Sequence, residues 1–148
     1  MSYFIKHLQH YFTISLFIVA SLHSAYAAKI KDAPLLIPGT TKVFAEDVLQ
    51  LAEKIPELLI IDARIHSDRK QGYIEGSISL PDINTNCASL AKIIPTKKAP
   101  VLFYCNGVKC GRSVKSSKIA LKCGYNNIYW FRGGYEEWKN KNFPFIKE

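Results

Sequence analysis

The sequence predicts an α/β domain with a mainly parallel central sheet and helices on both faces. Two observations carry this. Continuous apolar runs at Leu58–Ile61, Val101–Tyr104 and Ile128–Phe131 have the length and composition of strands buried on both faces. Segments with helical spacing lie between them, and strand–helix alternation is the pattern of a parallel sheet. A chain of 148 residues is long enough for one such domain with one core.

The elements follow in order. Residues 28–41 contain Pro34, Pro38 and Gly39 and read as an extended arm, and the domain proper is expected over residues 42–148. Lys42-Val43-Phe44 reads as a short strand. Glu46 and Asp47 place acids in the first turn of a helix running to about Lys54, with Val48, Leu49, Leu51, Ala52 and Ile55 as its apolar face. Pro56 ends it, and the run Leu58–Ile61 terminates at Asp62. Residues 65–71 are polar and predict a short helical turn broken by Gly72. Ile78 and Leu80 flank a short strand stopped by Pro81, and Cys87 to Ile94 predicts a helix closed by Pro95. After the strand Val101–Tyr104, residues 112–123 predict a helix with Gly124 as its stop. Gly133-Gly134 turns the chain from the strand Ile128–Phe131 into a last helix, Tyr135 to Asn140.

Residues 1–27 are expected to be a secretory signal peptide rather than part of the fold. Lys6 supplies a weakly positive start, Tyr11 to Leu22 is mostly apolar without formal charge, and Ala25-Tyr26-Ala27 offers small residues for cleavage. An uncleaved anchor is the alternative, but the run is shorter than the roughly 20 residues a membrane helix needs. The expected destination is therefore periplasmic or secreted, with no stable membrane span after cleavage. The formal charge is +8 over the whole chain. A basic surface of this size suits small anionic substrates. No basic run with interleaved aromatics suggests a nucleic-acid groove.

Chemistry is expected at Cys105. It ends an apolar strand, opens the loop Cys105-Asn106-Gly107-Val108-Lys109-Cys110-Gly111, and precedes a helix that starts at Arg112-Ser113. Loop N–H groups and the positive end of the helix dipole favour a thiolate there. Lys109 and Arg112 flank the site. Parallel sheets bind ligands beyond the carboxyl ends of their strands, and Cys105, Asp62 and the segment after Phe131 all lie at such ends. Asp62 and Arg64 have two readings: they line the crevice, or they form a buried ion pair that supports the loop. Of four histidines, His66 alone lies beyond the signal region, which leaves little for a Cys–His dyad. The cysteine spacings match no zinc pattern, and no metal or organic cofactor is implied. Cys123 is expected to be a small buried residue beside Gly124, and Cys87 to be unpaired in a Thr-Asn-Cys loop, with pairing the alternative the sequence leaves open.

These residues resemble the rhodanese family. Ile60-Ile61-Asp62-Ala63-Arg64 resembles its strand ending in Asp-x-Arg. Gly72-Tyr73-Ile74-Glu75-Gly76-Ser77-Ile78 resembles its Gly-His-Ile-x-Gly-Ala segment, with Tyr73 in place of His. Val101 to Ser113 resembles its strand, Cys loop and Arg-Ser helix start. Gly124-Tyr125 and Gly133-Gly134-Tyr135-Glu136-Glu137-Trp138 resemble its closing motifs. The resemblance implies a single rhodanese-like domain and a sulfurtransferase activity. Cys105 would attack a sulfur donor such as thiosulfate or a persulfide, hold the sulfane sulfur as a persulfide, and pass it to a thiol acceptor or a protein thiol partner. The loop from Asn106 to Arg112 would cradle the negative sulfur.

The loop is longer than the common family form and holds a second thiol, in a Cys-Asn-Gly-x-x-Cys arrangement that resembles an exported subset. Cys110 has three readings: a resolving thiol that attacks the persulfide and leaves a disulfide, a second reactive thiol, or a passive loop residue. A thiol–disulfide redox protein and a non-catalytic sulfur carrier therefore stand beside the transferase.

Overall fold

The computed structural model describes residues 32–147, so the signal peptide expected over 1–27 lies outside the described residues. The main sheet uses β1 (Thr41–Val43), β2 (Leu59–Asp62), β4 (Ile78–Ser79), β5 (Val101–Tyr104) and β6 (Ile128–Phe131). They lie in the order β1-β6-β5-β2-β4, and every pairing is parallel. The helices are α1 (Ala45–Lys54), α2 (His66–Arg69), α3 (Cys87–Ile93), α4 (Arg112–Lys122) and α5 (Gly134–Asn140). Among the described residues no helix is long and apolar enough to cross a membrane.

Alternation along β5 explains the two layers. Leu102 and Tyr104 face a core with Val43, Val48, Phe131 and Trp138, beneath α1 and α5. Val101 and Phe103 face the opposite core with Leu90, Ile94, Ala120 and Tyr125, beneath α3 and α4. All four residues of β5 are fully buried, as a central strand covered on both faces requires. α1 is held at its start by two carboxylates. Asp47 accepts the Phe44 N–H at 2.8 Å, and Glu137 of α5 accepts the Ala45 N–H at 2.8 Å. Asn86 caps α3: its side chain accepts the Ser89 N–H at 2.9 Å, while the Ser89 hydroxyl accepts the Asn86 N–H at 2.9 Å.

Three features depart from expectation. A small antiparallel pair joins β3 (Tyr73–Ile74) to β7 (Phe145–Ile146). Two-residue strands carry no periodicity, and their pairing is set by the chain's return after α5. The arm is not free: Ala33 and Ile37 bury against Val114 and Trp130. Cys87 and Cys123 correct the reading of an unpaired and a simply buried cysteine. They form a disulfide with a Cα–Cα distance of 5.5 Å. α3 and α4 pack on the same sheet face, so the first residue of α3 meets the C-terminal end of α4.

Candidate active site

The register brings three strand ends into line. Asp62 pairs with Tyr104, and Tyr104 with Phe131. The next residues, Ala63, Cys105 and Arg132, therefore leave the sheet together at its carboxyl edge. Cys105 is only 1% exposed. Its carbonyl accepts the Tyr135 N–H at 2.8 Å, and the Asn106 carbonyl accepts the Glu136 N–H at 2.7 Å. The first turn of α5 thus supports the start of the loop. Gly134 makes this approach possible: its φ is +58°, and a Cβ there would collide with the Cys105 carbonyl oxygen.

A turn closes the loop. The Cys110 N–H donates to the Gly107 carbonyl at 2.9 Å and carries Cys110 back to Cys105. The two cysteines form a disulfide with a Cα–Cα distance of 6.2 Å. Among the described residues, Cys110 is the one residue of 106–110 whose N–H returns to a backbone carbonyl. The N–H groups of Asn106, Gly107, Val108 and Lys109 have no backbone partner among the described residues. Gly111 caps α4, and Arg112 opens it.

The loop is gripped from outside by residues the sequence reading did not single out. Asp68, on α2, accepts from Asn106 Nδ2 at 2.9 Å and from Arg112 Nη1 at 2.6 Å. Asp82 accepts from Lys115 Nζ at 3.1 Å, with Arg112 Nε 3.9 Å away. The Arg112 charge is therefore shared between two carboxylates, whereas Lys109 is exposed. On the other side the Ala33 N–H donates to the Val108 carbonyl at 2.7 Å. Arg132 holds the arm there by donating to the Ala33 and Pro34 carbonyls at 2.9 and 2.8 Å. Asp68 could have been found by extending the strand-end argument past Asp62 into the next turn. No local signal marked Asp82, Ala33 or Arg132.

Asp62 and Arg64 take the second of their two readings. Asp62 is fully buried and Arg64 1% exposed. Arg64 donates to the two Asp62 oxygens at 2.9 and 2.7 Å. Arg69 Nη1 and the Tyr104 hydroxyl also donate to Asp62 Oδ2, at 3.0 and 2.8 Å. Burial pushes the Asp62 carboxyl up, but the Arg64 hydrogen bonds and charge, with the Tyr104 donation, hold it below its ordinary value. Burial and the Asp62 charge push the Tyr104 phenol up. Arg64 also donates to the Gly72 carbonyl at 2.8 Å, so the pair fixes the segment carrying Asp68 from beneath. Ser113 is buried, and its hydroxyl accepts the Trp130 indole N–H at 3.1 Å, tying α4 to β6.

The site thus holds a disulfide-bonded cysteine pair at one strand end, a loop with amides unpartnered among the described residues, and an 11-residue helix starting just beyond it. Such an arrangement can stabilise an anionic sulfur and exchange disulfides.

Residues 44–141 match the Rhodanese-like domain family. A rhodanese domain-containing protein of Drosophila melanogaster is 30% identical over 97 residues, which span 58% of this chain and 86% of that protein. Thiosulfate sulfurtransferase from Pseudomonas aeruginosa superposes with a TM-score of 0.62 at 24% identity, over 73% of this chain and 20% of that one. The polysulfide-sulfur transferase homodimer from Wolinella succinogenes superposes with a TM-score of 0.61 at 20% identity, over 74% of this chain and 80% of that one. At these identities the two structures establish a shared fold.

Proposed function

The chain belongs to the rhodanese-like domain family, and from that premise we propose that it is an exported sulfurtransferase working through a Cys105 persulfide. The observation that carries this reading is the position of Cys105. It sits at the carboxyl end of the central strand, in a loop with amides unpartnered among the described residues that leads into the start of α4. The Cys105 thiolate attacks the outer sulfur of thiosulfate or a persulfide donor. The donor's sulfur–sulfur bond breaks, sulfite or a thiolate leaves, and Cys105 holds the sulfane sulfur. The loop amides of Asn106, Gly107, Val108 and Lys109 receive its negative charge.

A second step is favoured by the Cys105–Cys110 disulfide. The Cys110 thiolate attacks the Cys105 Sγ of the persulfide, expels the outer sulfur as hydrosulfide and closes the disulfide. Two electrons from a thiol reductant then reopen the pair. Export is supported by the two disulfides, which an oxidising compartment permits.

Mass spectrometry of the reduced mature protein, before and after thiosulfate, tests both steps. One added sulfur on Cys105 is expected in Cys110→Ser, and the disulfide in the parent protein. A sulfur-free Cys105 in both proteins rejects the transferase. Stable persulfide in the parent, without disulfide, leaves a one-cysteine transferase or carrier.

A further inference from the structure

We infer that a thiol reductant enters this site through Cys110: its sulfur attacks the Cys110 sulfur, and Cys105 departs as the thiolate. The inference rests on the proposed use of the Cys105–Cys110 pair as a redox couple and adds the direction in which it opens.

Exposure separates the two cysteines. Cys105 is 1% exposed, enclosed by β5, the first turn of α5 and the loop itself. Cys110 is half-buried and lies between exposed Lys109 and exposed Gly111. Thiol–disulfide exchange is an in-line displacement, so the incoming sulfur approaches from the side of the attacked atom opposite its partner. With Cys105 1% exposed, an incoming thiol finds almost no open surface on it. Cys110 keeps part of its surface in solvent, and access decides which sulfur is attacked.

The leaving side agrees. A thiolate released at Cys105 stays at the start of a loop whose Asn106, Gly107, Val108 and Lys109 N–H groups have no backbone partner among the described residues and are open to an anion. The steps balance. The reductant thiolate bonds to Cys110 Sγ, the Cys110–Cys105 bond breaks, and Cys105 takes the electron pair and then a solvent proton. A second thiol attacks the reductant's sulfur in this mixed disulfide and releases the Cys110 thiolate, leaving the reductant oxidised by two electrons. Sulfur cargo and reductant are thereby kept on different cysteines: the persulfide forms on Cys105, the mixed disulfide on Cys110.

The test uses the mature protein, oxidised with diamide, and glutathione as the probe. Samples are quenched in acid over a time course, free thiols are blocked with N-ethylmaleimide, and the two cysteines are mapped by peptide mass spectrometry. The expected result is glutathione on Cys110 with maleimide on Cys105, at least tenfold over the reverse. Glutathione on Cys105, equal division, or opening of the disulfide with no Cys110 adduct at any time overturns the inference and leaves the persulfide reading intact. Failure of the pair to close in diamide overturns the inference and the resolving step together.

Discussion

Asp68 and Arg112 form an ion pair, with Arg112 Nη1 2.6 Å from Asp68 Oδ2, across the mouth of the Cys105 loop. The same oxygen accepts from Asn106 Nδ2 at 2.9 Å. One carboxylate therefore ties the residue after Cys105 to the first residue of α4. Both partners of the ion pair are about one-third exposed, at 29% and 32%, so it contributes about 1 kcal/mol or less to stability. Its larger effect is on where the loop sits. Asp68→Asn is expected to move the melting temperature little, lower the rate of sulfur transfer roughly tenfold through misplacement of the loop, and be largely rescued by Asp68→Glu. Steady-state transfer from thiosulfate with parallel thermal melts checks this; unchanged turnover removes the positioning role.

Asp62 is expected to make stability fall in acid. Its carboxyl is held below the ordinary value in the folded chain, chiefly by Arg64 against the cost of burial. The folded state then binds the proton less readily than the unfolded chain. The stabilisation is fully present above the unfolded pKa, about 3.9, and is lost as pH falls through the lower folded value. Asp62→Asn leaves two buried arginines without their carboxylate and is expected to cost about 3–5 kcal/mol at pH 7. Urea titrations of both proteins between neutral and acid pH measure the effect, and the variant should show a shallower decline in acid.

Gly134→Ala is expected to destabilise the fold by more than about 2 kcal/mol, since a left-handed backbone alone costs an L-residue roughly 1–2 kcal/mol. The new methyl also meets the Cys105 carbonyl oxygen. Transfer activity of the folded fraction should fall, because the collision displaces Cys105 itself. Chemical denaturation and activity per folded molecule report the two effects separately.

Removing the Cys87–Cys123 disulfide by a double Ser substitution is expected to cost about 3–4 kcal/mol, from the chain entropy of a loop of 36 residues. This bond staples the start of α3 to the end of α4, at the opposite end of α4 from the loop. Reduction of the Cys105–Cys110 pair should proceed in the variant at the parent rate. A changed rate would show that the staple also shapes the loop.

Export predicts that protein recovered from outside the cytosol begins at or near Ala28, following cleavage after Ala27. N-terminal sequencing decides it, and an intact Met1 on a membrane-bound product would overturn it.

Much of the architecture was legible in the chain because it is locally encoded. Val101–Tyr104 and Ile128–Phe131 are short runs apolar on successive residues, as strands covered on both faces are. Cys105 was legible for the same reason: a strand end, a loop containing glycine and a helix start occur within a few residues. The short β3 and β7 strands were not, since two residues hold no pattern.

The parallel α/β plan, the strand end on which Cys105 stands and the presence of Cys110 in its loop were readable along the chain, because each follows from near neighbours. Packing settled the rest. It paired Cys87 with Cys123 across 36 positions, chose the buried ion pair for Asp62 and Arg64, and brought Asp68 and Ala33 to opposite sides of the loop. These are contacts between segments far apart in sequence. They are set by strand order and by which helices share a sheet face, and neither leaves a local periodicity to read. Burial completed the division: it enclosed Cys105 and left Cys110 half-buried, a difference in access that two cysteines in one short loop do not reveal until the chain is folded around them.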